Sequence, residues 1–377
     1  MKDVYINRIA KFLPNDAVEN EQIEERLGFI NGKPSRAKNI VLRSNQIKSR
    51  HYAIDKKGNV THNNTQLTTE AIKLLCDADF KLDDIELLSC GTSTPDQLLP
   101  AHASMVHGIL KGGNMEVNTV SGVCCAGMNA LKYAYLSVMT EQVSNAVCTG
   151  SERVSTWIQS TAYENEIAHL GDLESNPILA FNKDFLRWML SDGAGAMLLE
   201  NAPKGDLSLK IEWMEGFSYA YEMETCMYAG GEKKADGSMK PWSEFSTEQW
   251  GKESVFSIKQ DTKLLGDNIL VKGVDSLKKA ITKNGIKADD ITYYLPHISS
   301  YFFKDGLYKE MEKQGVHIPF ERWFLNLERV GNMGSASIYV MLEELFASGN
   351  LKKGDTILLS VPESARFSYT YAYLTVC

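Results

Sequence analysis

Moved along itself by 206 positions, this chain of 377 residues overlays one of its own stretches, which limits its fold more than any other feature. Thr68–Ile85 lies on Val274–Ile291 without a gap, with Ala71 on Leu277, Leu74 on Ala280, Leu75 on Ile281 and Phe80 on Ile286. Lys81, Asp83, Asp84 and Ile85 recur as Lys287, Asp289, Asp290 and Ile291. Each copy reads as a helix with one apolar face (Ala71, Leu74 and Leu75 in the first), an acidic turn and a strand. A looser repeat accompanies it. Met115–Val120 is expected as a buried strand, followed by the turn Ser121-Gly122-Val123, the pair Cys124-Cys125, a helix from Ala126 and a strand ending at Glu152. In the second copy, Gly331–Ser337 opens a helix running to about Ala347, and Gly354–Val361 is the strand after it. The pattern predicts an α/β protein of duplicated βαβ halves, residues 1–205 and 206–377, meeting face to face in layers.

Composition narrows the function by exclusion. Lys and Arg total 40 against 48 Asp and Glu, so nucleic acid is not an expected partner. No apolar run approaches the ~18 residues of a membrane span. Met1–Ile6 reads as a first strand rather than a signal peptide, so a cytoplasmic protein is expected. The seven cysteines lack CxxC or Cys/His ligand spacing, which argues for reduced thiols and against a metal site. Asn31–Asn64 reads as a loop-rich excursion. Trp213–Glu253, with Tyr219, Tyr221, Met223, Met227, Tyr228, Met239, Trp242 and Phe245, suits the wall of an apolar acyl pocket.

Three residue types carry the chemistry. A thiol in the first turn of a helix sits beside unpaired N–H groups and the positive end of the dipole, which favours thiolate. Cys125 has that place in the first half. The second half offers His297, at the end of the strand Tyr293–Pro296, and Asn332, after Gly331. Thiol, imidazole and carboxamide suit carbon–carbon bond formation on thioesters. The thiolate takes an acyl group, and the other two hydrogen-bond the carbonyl of a second thioester as its enolate forms. The backbone N–H of Cys125 can serve an oxyanion hole. Glu152 ends the strand after the Cys125 helix. It reads either as a buried glutamate paired with Arg153 or a backbone amide, or as a second base whose pKa burial would raise.

These stretches resemble the ketoacyl-ACP synthase III branch of the thiolase superfamily over nearly the whole chain. The likeness rests on Phe12-Leu13-Pro14 with Asn20, Arg50, Thr94-Pro95-Asp96 with Pro100, Cys125-Ala126-Gly127, Gly150-Ser151-Glu152, Asp192–Ala196, Pro296-His297 and Gly331-Asn332 with Ser337. It implies a thiolase-like αβαβα fold, a homodimer and a Cys125–His297–Asn332 triad. It also implies no permanently bound cofactor and substrates carried on the phosphopantetheine of CoA or acyl carrier protein. Cys125, not Cys124, stands where the family motif places the nucleophile, leaving Cys124 as a small core side chain. An acidic carrier protein needs a basic patch, for which Lys304 and Lys309 are candidates, with Lys278, Lys279 and Lys283 nearby.

Two departures matter. Pro296-His297 continues as Ile298-Ser299-Ser300 rather than the family's Gln-Ala-Asn, and its glycine-rich C-terminal loop aligns with Pro362-Glu363-Ser364-Ala365-Arg366-Phe367. Ser364 can still lend its backbone N–H to the oxyanion hole, but side chains where glycines are usual should reshape the site. Gly230-Gly231-Glu232 and Asp236–Trp242 are similar to the ketosynthases of dialkylresorcinol, flexirubin-type and stilbene precursors. That subgroup joins two acyl chains and closes a cyclohexane-1,3-dione ring. The alternatives are an ordinary ketoacyl-ACP synthase III of fatty acid initiation and a non-catalytic partner subunit of the same fold.

Overall fold

Nine strands make one mixed sheet in the computed structural model, which describes residues 1–163 and 185–377. In chain order they are β1 (Tyr5–Phe12), β2 (Leu87–Thr92), β3 (Glu116–Ser121), β4 (Asn145–Glu152), β5 (Gly193–Glu200), β6 (Leu209–Ser218), β7 (Tyr293–Pro296), β8 (Thr356–Glu363) and β9 (Ser368–Val376). Across the sheet they run β7-β8-β9-β6-β1-β5-β4-β2-β3. The order mirrors itself about the junction of β6 with β1. On either side come an antiparallel pair (β1 with β5, β6 with β9), a second antiparallel pair (β5 with β4, β9 with β8) and a parallel one (β4 with β2, β8 with β7). We read this mirror as the mark of the duplication. The strand that would answer β3 is reduced to one parallel bridge, Tyr294 to Trp323.

The main helices are α1 (Lys38–Asn45), α2 (Asn64–Lys73), α3 (His102–Leu110), α4 (Cys124–Met139), α5 (Thr262–Lys283), α6 (Lys304–Gln314) and α7 (Ser337–Phe346). Apolar faces set the layers. Leu67, Ala71 and Ile72 of α2 and Val106 of α3 pack on the outer face of the first half. Val274, Leu277 and Ala280 of α5 and Met311 of α6 do the same for the second. Between them, Met128, Leu131 and Ala134 of α4 meet Ile338, Tyr339 and Leu342 of α7 in a core shared by strands of both halves. The αβαβα layering is as expected. The halves meet face to face through α4 and α7, and they also join edge to edge, Tyr5 with Lys210 and Ile6 with Leu209.

The sequence repeat has a structural image. In both copies the acidic turn closes on itself, Lys81 N–H donating to Asp84 Oδ2 at 2.8 Å and Lys287 N–H to Asp290 Oδ2 at 2.9 Å.

Two expectations need correction. Leu74 caps α2 and is 61% exposed, while its neighbours Ile72 and Leu75 turn into the core. Strand β3 is not buried. It terminates the sheet, and Glu116, Val117 and Ser121 are exposed since no strand lies beyond it. Asn31–Asn64 is loop-rich as expected, and within it lie α1, whose Val41 and Leu42 are buried, and the short strand Ser49–Arg50.

Motif glycines let the central helices approach. A Cβ on Gly127 or Gly150 would stand 2.3 Å from the Ser335 carbonyl oxygen just before α7. Backbone must shift to relieve such a contact, so Gly150→Ala is expected to destabilise the protein by about 1–3 kcal/mol. Urea unfolding checks this; an unchanged midpoint would contradict the close packing.

Candidate active site

Both halves feed one cleft that gathers most of the expected residues, but the thiol lining it is that of Cys124 and not that of Cys125. Val123 and Cys124 at the start of α4, Glu152 at the end of β4, His297 after β7, Asn332 before α7 and Ser364 after β8 all line it. Leu265, Ile269, Val274 and Leu277 of α5 form an apolar flank.

Strand β8 anchors both the Cys125 thiol and the backbone of His297. β7 runs parallel to β8 with Pro296 opposite Ser360, and His297 N–H donates to the Ser360 carbonyl at 2.8 Å. The next residue, Val361, accepts the Cys125 thiol at 3.3 Å. Two reactive residues 172 positions apart in sequence are thus anchored on consecutive residues of one strand. His297 is 3% exposed, and its buried Nε2 has no hydrogen-bond partner among the described residues. Burial pushes its pKa down to about 4, so the ring is neutral near pH 7.

Asn332 is fixed on three sides. Its N–H donates to Met189 O at 2.9 Å, its carbonyl accepts from Ser191 N–H at 2.8 Å, and its Oδ1 accepts from Gly334 N–H at 3.0 Å. With Oδ1 committed, the side-chain NH₂ is the group left to donate into the cleft. Gly331 makes the placement feasible: its φ is +71°, and a Cβ would stand 2.9 Å from Arg50 Cβ and from Ser191 Cβ.

Cys125 departs from expectation. It sits in the first turn of α4, 2% exposed, but its pKa is raised, first by burial and then by the carboxylate of Glu363. The N–H groups meant to favour a thiolate are already taken. Glu363 Oε2 accepts from Val123 N–H at 3.0 Å and from Cys125 N–H at 3.1 Å. A signal for this existed in the sequence: Val123 precedes the helix without a capping side chain, and an acidic residue stands one position before Ser364. Cys124 belongs to the central core, as expected, yet it is 8% exposed and also lines the cleft.

Glu152 is fully buried but not paired with Arg153, whose partner is Asp96 at 3.7 Å. Its oxygens accept from Ser93 Oγ at 2.6 Å, Thr94 Oγ1 at 2.8 Å, Ser93 N–H at 3.1 Å and Ser335 N–H at 3.3 Å. Burial raises its pKa, and these hydrogen bonds work against the rise.

The aromatic-rich segment is mostly elsewhere. Of its eight named residues only Met227 lines the cleft. Trp242 packs on Trp250 with ring centroids 5.7 Å apart. Lys304 lies over the Phe320 ring at 5.0 Å, and Lys309 on the same helix is exposed. Lys278, Lys279 and Lys283 are bound to Gln314 O, Asp275 and Glu215.

The family model described as 3-oxoacyl-[acyl-carrier-protein] synthase III C terminal matches residues 281–362, which include His297 and Asn332. The chain is 25% identical over 368 residues to the beta-ketoacyl-[acyl-carrier-protein] synthase III of Clostridium beijerinckii, covering 95% of both. It is also 25% identical over 301 residues to the enzyme of that name from Fusobacterium nucleatum, covering 78% of this chain and 79% of that one. Among solved structures, the tetronic acid condensing enzyme AbyA1 superposes with a TM-score of 0.76 at 18% identity, covering 99% of both chains. Xanthomonas campestris OleA does so with 0.74 at 19% identity, covering 99% of this chain and 98% of that one.

Proposed function

We propose that the chain is a ketoacyl-ACP synthase III-like acyltransferase of the thiolase superfamily, which joins two acyl thioesters through a Cys125-bound acyl intermediate and then closes a cyclohexane-1,3-dione ring. The observation that carries this reading is one cleft lined by the His297 imidazole, the Asn332 carboxamide and apolar residues of α5, with Cys125 the next residue in α4 after the Cys124 that lines it. Cys125 attacks the thioester carbonyl of an acyl-CoA or acyl-carrier protein, and the phosphopantetheine thiol leaves with the proton. A β-ketoacyl thioester then enters. Loss of its α-proton gives an enolate whose oxygen accepts from His297 and the Asn332 NH₂. The enolate carbon attacks the acyl-Cys125 carbonyl, whose oxygen sits in the hole of Cys125 and Ser364 N–H groups, and Cys125 leaves as thiol. When the first acyl chain is α,β-unsaturated, the γ-carbon of the β-ketoacyl part loses a proton and adds to the β-carbon of that chain. The chain's double bond is consumed as its α-carbon takes up a proton, and this second bond closes the ring for a dialkylresorcinol-type product. A neutral imidazole suits this role, since it donates without adding charge to the apolar site. Glu152 stands by as the candidate base. Its four donors also suit it to holding Ser93, Thr94 and Ser335 in the wall beside Asn332.

Long acyl substrates fit the flank formed by α5. OleA has been solved with bound lauric acid and lauroyl-CoA, which supports an apolar acyl chain as substrate here. The open edge of β3, with Val117 and the α4 residues Tyr133 and Leu136 exposed beside it, supports the homodimer. Lys304 and Lys309 are the docking residues proposed for the carrier protein. No helix among the described residues is long and apolar enough to cross a membrane, and a cytoplasmic setting is part of the proposal.

The name shared by the sequence relatives favours a second reading: one decarboxylative condensation with malonyl-carrier protein in fatty acid biosynthesis. Product analysis separates the two. Incubation with an α,β-unsaturated acyl-CoA and a β-ketoacyl thioester is expected to yield a cyclised dione by mass spectrometry. Linear β-ketoacyl product from malonyl-carrier protein, with no dione, would establish the second reading instead.

A further inference from the structure

The oxyanion hole expected at Cys125 is filled by the protein itself. Helix α4 starts at Cys124 after Val123, which has no side chain able to cap it. The missing acceptor comes from the other half of the molecule, where Glu363 ends β8 one residue before Ser364. Its Oε2 takes the N–H groups of both Val123 and Cys125. The same strand holds the thiol itself, through the Val361 carbonyl at 3.3 Å. Both the nucleophile and its neighbouring donor are therefore tied to β8.

The carboxylate is a poorly compensated occupant. Among the described residues no cation stabilises it, only the two backbone N–H groups, and burial raises its pKa. A desolvated anion of this kind gains hydration when it leaves, while a helix N-terminus that loses it gains a vacancy for another oxygen. Two oxygens cannot use the Cys125 N–H together. A neutral thioester carbonyl accepts more weakly than a carboxylate, so it displaces Glu363 only when the rest of the substrate is already bound.

We propose that Glu363 is an autoinhibitory plug: it fills the acyl oxyanion hole of the resting enzyme, keeps Cys125 a thiol, and must swing out for acylation. The proposal rests on the reading of Cys125 as the acyl-carrying nucleophile. The plug makes loading the guarded step. Small or poorly bound thioesters meet a protonated thiol and an occupied hole. A substrate whose chain fills the apolar flank supplies the binding energy that opens both.

Two substitutions separate charge from occupancy. Glu363→Gln keeps the shape and an accepting oxygen but removes the charge, and Glu363→Gly empties the position. Alkylation of Cys125 by iodoacetamide, followed across pH by peptide mass spectrometry, is expected to shift its midpoint down by about one pH unit or more in both. Acylation of Cys125 by lauroyl-CoA is expected to quicken by about tenfold or more in Glu363→Gly, where the hole is open. A side chain that merely braced the β8–β9 turn would move neither. Unchanged alkylation midpoints in the two variants would overturn the plug, and Glu363→Gln decides this alone if Glu363→Gly does not fold. An absence of acyl-Cys125 in all three proteins refutes the nucleophile reading instead, while the alkylation midpoints still decide the plug.

Discussion

Cys125→Ala is expected to lower condensation of acyl thioesters by about 10⁴-fold or more while leaving the fold intact. The size follows from the chemistry. Without the thiol no acyl-enzyme forms, and the two substrates would have to react directly inside the cleft. Alanine in place of a buried cysteine of the central core removes little volume, so circular dichroism and the unfolding midpoint should barely move. Product formation measured by liquid chromatography and mass spectrometry checks the rate. A Cys125→Ala enzyme within tenfold of the wild type would remove the covalent intermediate from the mechanism.

His297→Ala and Asn332→Ala are each expected to cost about 10²–10³-fold in bond formation while Cys125 still takes up its acyl group. The two donors are assigned to the second substrate's enolate oxygen, not to the first substrate's carbonyl, so they act after loading. Acyl-Cys125 should therefore accumulate in both variants. Rapid-quench mass spectrometry reads the acyl-enzyme and the product separately. If loading falls as steeply as product, His297 acts on the thiol's proton instead. A loss confined to Asn332→Ala would leave the Asn332 amide as the sole enolate partner.

The periodic and chemical features were the legible ones. Ala71, Leu75, Leu277 and Ile281 mark helix faces at regular spacing, and the repeated Lys-x-Asp-Asp-Ile turn adopts the same closed geometry twice. Cys125, His297 and Asn332 stood out because each follows a turn at the end of a strand or the start of a helix. The structure converges their supports: β8 accepts hydrogen bonds from the Cys125 thiol and the His297 backbone N–H, and His297 and Asn332 line one cleft.

What escaped reading depends on tertiary placement. Val117 and Val120 look like interior residues by type, but β3 is open to solvent because it ends the sheet, and strand order is not written in local pattern. Leu74 is apolar yet exposed, because the core takes Ile72 and Leu75 on either side of it. The aromatic residues around Trp242 suggested a pocket wall by composition, but they pack on one another instead. Glu363 was visible as an odd residue in a glycine-rich place. That its carboxylate would cap a helix 238 positions earlier in the chain required the sheet that brings β8 beside α4.

The most direct test of the account is the position of the acyl group on the enzyme. Wild-type protein is incubated with lauroyl-CoA, quenched, digested and mapped by tandem mass spectrometry. The peptide spanning Cys124-Cys125 is expected to gain one lauroyl group, with fragment ions placing it on Cys125. Cys124 lines the cleft and Cys125 does not, which makes the fragment assignment decisive. A lauroyl group on Cys124, or none on either thiol while product still forms, would contradict the account.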